Sequence, residues 1–225
     1  PAFGPSWSKR PASGSLKPVI PVLRPLFGTA SCCFKPAIDS RNRAAWVESP
    51  ASAMTAARYA ALFKRTRRRL ESGEAPNPIR VAVASESRDG FESRVRIRDF
   101  ELTIDQPKGF EGTDKGPKPS EVLLATLASC QEITWRLYAA ALNIPLDAVR
   151  VELTGTQDLQ GFFGVDDAVP AGFTAITGTV QVESPASAEE IGRLREVVDA
   201  HCPVLDDLKR PVAVRLEVDH AAPEA

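Results

Sequence analysis

The spacing of hydrophobic positions changes several times along the chain, and each change marks an element. From Ala56 to Leu70, the residues Tyr59, Leu62, Phe63, Thr66 and Leu70 recur at helical intervals while Lys64, Arg65, Arg67, Arg68 and Arg69 fill the rest. That pattern predicts an amphipathic helix with a basic face. Ser72 to Pro78 is a polar joint. Ile79 to Ala84 and Arg94 to Ile104 then read as strands, with Arg88-Asp89-Gly90 supplying turn chemistry between them, so a β-hairpin is expected to open the globular part. Gln106 to Lys118 contains Gly109, Gly112, Gly116, Pro107 and Pro117 and reads as a loop.

Pro119 stands where the first turn of a helix tolerates a missing N–H. Ser120 to Leu142 has no glycine or proline and is dense in leucine and alanine. It predicts a long helix, apolar nearly all round and therefore buried, that stops before Asn143 and Pro145. Val149 to Thr156 and Thr174 to Val182 alternate as strands on either side of a loop rich in glycine and aspartate. Ser187 to His201 reads as a second helix, with Ser187 as N-cap and Glu190 three residues on, and Val212 to Val218 reads as a closing strand. The order predicts an α+β domain in which antiparallel sheets pack around two central helices.

Residues 1–53 show neither the period of a strand nor that of a helix and are rich in Pro, Ser, Ala and Arg. They are expected to be disordered or a non-native leader, with Met54, the only methionine, as the natural start. Residues 54–78 form the helix and joint, and 79–225 the folded domain. Val19 to Phe27 looks like a signal core, but Pro21, Arg24 and Pro25 interrupt it, so no secretory signal is expected.

Charge changes the picture little: 28 basic against 29 acidic residues leave a net charge of −1, so no global field favours nucleic acid or an anionic membrane. The basic run of the first helix reads as a solvated face. Four cysteines in 225 residues are too few for a disulfide-stapled secreted scaffold, and a reducing cytoplasm is expected. No apolar run reaches the length of a membrane span. Gly109 to Gly116 lacks the order of a phosphate-binding loop, only His201 and His220 are available as histidine ligands, and Asp158, Asp166 and Asp167 lack the spacing of a calcium loop. No metal, nucleotide or other cofactor is expected.

The candidate chemistry rests on two cysteines. Cys130 falls near the middle of the long helix, in Leu124-Ala-Thr-Leu-Ala-Ser-Cys130-Gln131-Glu132, and Cys202 at the end of the second, in Ala200-His201-Cys202-Pro203. Cys32 and Cys33 lie in the leader. Taken alone, cysteines on core helices read first as inert buried hydrophobes. The stretch Gly116-Pro-Lys-Pro-Ser-Glu121-Val-Leu-Leu-Ala-Thr-Leu-Ala-Ser-Cys130 is followed, 202 − 130 = 72 residues after that cysteine, by Cys202 within His201-Cys-Pro-Val-Leu205. Together they resemble the two cysteine signatures of OsmC-like and organic hydroperoxide resistance proteins, and the likeness spans Ile79 to about Val218.

The resemblance implies an OsmC-like fold, an intertwined homodimer with sites at the subunit interface, and a peroxidase that reduces organic hydroperoxides at the expense of a dithiol such as a lipoylated protein. By resemblance, Cys130 is the peroxide-attacking thiolate, oxidised to a sulfenic acid, and Cys202 resolves it as a disulfide. A thiolate in an apolar helix needs compensation. The family's arginine on the first hairpin matches Arg88, whose guanidinium can hydrogen-bond both a thiolate and a peroxide oxygen. The family's glutamate, which orients that arginine, falls where this chain has Ser120. Glu121 stands one place later, 130 − 121 = 9 residues before Cys130, about 100° round the helix from that position. Glu121 is carried as the candidate, with favourable interaction with the helix dipole as its other reading. Such a displacement resembles a less characterised branch of the family. Glu132 and His201 are further candidates for proton handling. The rival function is a non-catalytic stress-response module that keeps the fold and binds a small hydrophobic ligand.

Overall fold

The computed structural model describes residues 53–221; the expectations that rest on residues 1–52, Cys32 and Cys33 among them, lie outside these. In chain order the described residues form α1 (Ala53–Glu71), the strands β1 (Ala84–Ser87), β2 (Ser93–Ile97) and β3 (Phe100–Ile104), and a 3-10 turn (Lys108–Phe110). There follow α2 (Pro119–Leu142), β4 (Ala148–Gln157), α3 (Leu159–Phe162), β5 (Phe173–Glu183), α4 (Ala188–His201) and α5 (Pro203–Lys209). This is an α+β fold with two antiparallel sheets, β1-β2-β3 and β4-β5.

The core sits where α2 crosses α4 and the β4-β5 ribbon. On α2 the buried positions are Leu127, Gln131, Thr134, Trp135 and Ala139, the spacing of one helical face. On α4 the stripe Leu194, Val198 and Cys202 is fully buried, each four residues from the last. Trp135, Ala139, Ile144, Leu194 and Val198 form one cluster, with Tyr138, Leu146, Val149, Val182 and Ile191 packed around it. Burying a leucine such as Leu194 contributes roughly 1.5–3 kcal/mol, so this packing fixes where the end of α4 lies.

Local chemistry sets the helix limits. At the start of α2 the Glu121 carboxylate accepts the Lys118 backbone N–H at 3.0 Å, with Pro119 in the first turn. At its end Asn143 takes the left-handed conformation, φ 57°, and Ile144 N–H returns to the Ala139 carbonyl at 2.9 Å. Ser187 and Glu190 form the expected reciprocal cap on α4: Glu190 N–H donates to Ser187 Oγ at 3.2 Å and Ser187 N–H to the Glu190 carboxylate at 2.9 Å. The Ser187 backbone hydrogen bond holds Glu190 below the usual carboxylate range.

Four sequence expectations need correction. Arg94 to Ile104 is not one strand: Arg98, with φ 57°, reverses the chain so that β2 pairs β3 from Ile97↔Phe100 to Ser93↔Ile104. The first strand is Ala84–Ser87 rather than Ile79 to Ala84, because only these four residues face β2. Val212 to Val218 forms no strand. Alternation makes a segment suited to a pleated surface, but a ladder needs a neighbour, and among the described residues neither 79–83 nor 212–218 has one. Finally, α2 is not covered all round, since Leu123, Ile133 and Leu142 are exposed. Two short helices were not foreseen: α3 in the glycine-rich loop, capped by Asp158, and α5, for which Pro203 provides a pre-set first turn.

The loop between β3 and α2 is organised by one carboxylate. Asp105, 1% exposed, accepts hydrogen bonds from Gln106 N–H at 2.7 Å, Thr113 N–H at 3.0 Å, Thr113 Oγ1 at 2.6 Å and Lys115 N–H at 3.2 Å. Gly112 is required inside it, because a Cβ there would collide with the Gln106 carbonyl. Lys115 then reaches Glu92 at 2.6 Å and ties the loop to the turn between β1 and β2.

Candidate functional site

The middle of α2 and the end of α4 bring the thiols together. Cys130 is half-buried on α2 and Cys202, at the junction of α4 and α5, has no exposed surface. Their Sγ atoms lie 3.4 Å apart, with the Cys202 thiol donating to Cys130 Sγ. Both are free thiols. The Cys202 backbone is held from both sides: its N–H donates to the Val198 carbonyl at 2.9 Å, and its carbonyl accepts Asp206 N–H at 2.9 Å. On α2, Thr134 Oγ1 donates to the Cys130 carbonyl at 2.7 Å.

The two sulfurs differ in environment. Burial pushes the Cys202 thiol up, a backbone hydrogen bond at Leu205 opposes that, and the neighbouring Cys130 sulfur adds to the rise. Cys202 is thus a neutral donor at neutral pH. Cys130 lines an open cleft of about 390 Å³ with Thr126, Ile133, Leu137, Tyr138 and His201. The accessible sulfur is therefore Cys130 and the enclosed one Cys202.

The remaining sequence candidates do not converge on the thiols within one chain. Arg88 extends from the turn after β1, 42% exposed, with its guanidinium 3.4 Å from Glu86, which also pairs with Arg96. Glu121 is engaged with the Lys118 backbone at the start of α2 and lines a second, adjoining cleft of about 370 Å³ with Leu102, Val122 and Ser129. Glu132 pairs with Arg136 at 2.9 Å on the surface of α2. His201 does reach the thiol cleft; its Nδ1 lies 2.8 Å from the Val197 carbonyl, and since a carbonyl only accepts, Nδ1 carries the hydrogen.

Sequence reasoning missed Thr134 and Tyr138. The signal was available in their spacing, four and eight residues after Cys130, which places them along one side of a helix. Asp105 was also missed, and a lone aspartate before a glycine-rich loop gives little warning of a buried carboxylate. Among the described residues no group of three or more His, Cys, Asp or Glu assembles as metal ligands, and no described helix is long and apolar enough to cross a membrane.

A buried thiol and a cleft-lining thiol meet at the crossing of two helices in this α+β domain. Residues 112–217 match the family model of the OsmC-like proteins. An uncharacterized protein of Haloferax volcanii is 30% identical over 130 residues, covering 57% of this chain and 87% of the relative. A protein of Mycoplasma pneumoniae named hydroperoxide reductase is 29% identical over 124 residues, 53% of this chain and 80% of that protein. The crystal structure of an OsmC-like protein from Mycoplasma pneumoniae superposes with a TM-score of 0.52 at 25% identity, covering 59% of this chain and 89% of that one. The chain belongs to the OsmC-like family.

Proposed function

We propose that the protein is a thiol peroxidase that reduces organic hydroperoxides through Cys130 and Cys202. The observation that carries this reading is the 3.4 Å separation of two thiols of opposite access. The Cys130 thiolate attacks the outer peroxide oxygen; the O–O bond breaks, an S–O bond forms, and the departing alkoxide takes a proton to leave as the alcohol. Cys130 is then a sulfenic acid. The Cys202 sulfur displaces its hydroxyl, which leaves as water with the Cys202 proton, and the sulfurs close by about 1.4 Å to a bond of roughly 2.05 Å. A dithiol, oxidised in turn to its own disulfide, returns both cysteines to thiols; the family resemblance points to a lipoylated protein. Burial of Cys202 serves this division, because a thiol kept neutral and enclosed does not compete for the peroxide.

The working unit in this reading is a homodimer. Ile79, Val81 and Val83 and, at the other end, Val212, Val214, Leu216 and Val218 are all more than half exposed, as is Ile133 on the open face of α2. A second copy offers these segments a strand neighbour and this face a cover. It also offers the thiol cleft a cation, since the Arg88 guanidinium meets only Glu86 among its described contacts. Arg88 is thus proposed to complete the site across the interface, with Glu121 as its partner there. One observation favours a non-catalytic module that binds a small hydrophobic ligand instead: the Glu121 carboxylate is already occupied by the Lys118 backbone.

The test is hydroperoxide consumption by the full chain with dihydrolipoamide as reductant, using cumene hydroperoxide and hydrogen peroxide. The expected result is turnover that favours the organic peroxide and falls roughly a thousandfold or more in Cys130→Ser. In Cys202→Ser, one equivalent of peroxide should leave a sulfenic acid on Cys130 that dimedone traps. Absence of turnover together with an unreactive Cys130 would discard the peroxidase in favour of the binding module.

A further inference from the structure

The helix α1 lies outside the span that matches the family model, residues 112–217, yet it packs on α2 beside the thiol cleft. Its Phe63 ring meets Tyr138 edge-on, with centroids 5.3 Å apart at 67°. The same Tyr138 ring lies 5.1 Å from that of His201. Tyr138 and His201 both line the cleft that holds Cys130. A residue on α1 therefore touches a wall of the site through one intervening ring.

We propose that α1 belongs to the selectivity apparatus of this cleft: Phe63 positions Tyr138, and Tyr138 with His201 forms a ring-lined wall that favours hydroperoxides bearing a bulky apolar group. The inference rests on the peroxidase reading for its substrate class. His201 cannot turn freely, because its Nδ1 is bound to Val197 of its own helix, so Tyr138 is held between a ring fixed on α4 and a ring carried by α1. Arg67, one turn beyond Phe63, is close enough for its charge to act on Tyr138, whose hydroxyl burial pushes up and so keeps neutral. A neutral phenol ring presents an uncharged face to the apolar part of a substrate, and ring pairs of this kind prefer offset or edge-on contact. Ile133 and Leu137 continue the apolar lining. Hydrogen peroxide, with no organic group, has nothing to place against this wall.

The experiment compares wild type, Phe63→Ala, Phe63→Leu, Phe63→Tyr and Tyr138→Ala. The readout is the ratio of kcat/KM for cumene hydroperoxide to that for hydrogen peroxide. The ratio should fall about threefold to tenfold in Phe63→Ala, through KM for the organic peroxide, and further in Tyr138→Ala. Phe63→Tyr keeps the ring and should keep the ratio. Phe63→Leu keeps most of the volume without the ring, so it reports should Phe63→Ala fail to fold. A second readout needs no turnover: the rate of Cys130 alkylation by N-phenylmaleimide relative to N-methylmaleimide, followed by mass spectrometry, should fall in the same order. Unchanged ratios in both assays for Phe63→Ala and Phe63→Leu would overturn the role of α1. Wild-type protein that consumes neither peroxide would overturn the peroxidase reading, and the alkylation ratio would then decide the role of α1 alone.

Discussion

The crossing of α2 and α4 and the three-stranded sheet β1-β2-β3 differ in what one chain can complete. At the crossing, Leu194, Val198 and Cys202 have no exposed surface and Trp135 and Ala139 have 2%. In the sheet and the segment before it, Val81, Val83, Phe91 and Phe100 are 93%, 64%, 59% and 64% exposed. Both regions are rich in apolar residues, but only the first encloses them. The difference separates two jobs. The enclosed region sets the geometry of the thiols, since Cys202 is simply the last position of the α4 stripe. The open region carries Arg88 and the unpaired apolar edges, and it is the part through which a second copy would act.

The largest effect should follow from opening the enclosed region. Leu194→Ala removes a fully buried side chain, which costs about 2–5 kcal/mol and should lower Tm by roughly 5–15 °C in a protein of this size. Because Leu194 and Cys202 share one buried stripe, dimedone trapping on Cys130 should also persist longer in this variant, as the resolving thiol loses its fixed approach. A Tm within about 2 °C of wild type would mean that the crossing is not the stabilising centre.

Intermediate in size is the effect of charging the open region. Within a single chain, Leu216 is 88% exposed, so Leu216→Asp should change stability by no more than about 0.5 kcal/mol. In the proposed homodimer the same change places a carboxylate in an apolar seam. The expected outcome is a shift of the sedimentation mass from two chains to one, with hydroperoxide turnover lost alongside because Arg88 no longer reaches the partner's cleft. A dimer mass that survives both Leu216→Asp and Val81→Asp would remove these edges from the interface.

What was legible in the sequence follows the same division. Periodicity located α2 and α4 to within a residue and the β4-β5 pair to within one at each end, because each of these elements is decided by burial inside its own chain. The reciprocal cap of Ser187 and Glu190 was legible for the same reason: it spans three residues. Periodicity misled at Ile79 to Val83 and at Val212 to Val218, where the alternation is real but no strand neighbour stands beside it among the described residues. It also could not see that the Glu121 carboxylate would accept the Lys118 backbone N–H at the start of α2. The two cysteines were legible as a pair through resemblance, whereas their 3.4 Å approach is a product of helix packing that no local pattern encodes. The spacing of Tyr138 from Cys130 puts it on the same side of α2, but its ring contacts with Phe63 and His201 join elements far apart in the chain.

The smallest effect concerns Asp105, and it depends on pH. Asp105 stands at the joint between the two regions, at the end of β3 and the start of the loop that leads into α2. Its carboxyl is lowered from 3.8 to about 2, chiefly by the Thr113 hydroxyl and further by backbone N–H groups of Gln106, Lys115 and Thr113, against the opposing effect of burial. A carboxyl with a depressed folded pKa stabilises the folded state above its unfolded pKa, and that contribution fades as pH falls from about 4 toward 2. Asp105→Asn keeps the shape but replaces one charged acceptor oxygen by an NH₂ group, which faces N–H donors. The variant should therefore unfold at a lower urea concentration than wild type at pH 7, and the gap should narrow as both are titrated from pH 4.5 to pH 2.5. It should leave the thiol pair untouched, so Cys130 alkylation rates at pH 7 should match. A gap as wide at pH 2.5 as at pH 7 would mean that shape, not the charge on Asp105, holds the joint, and altered Cys130 reactivity would mean that the loop and the thiol cleft are coupled rather than separate.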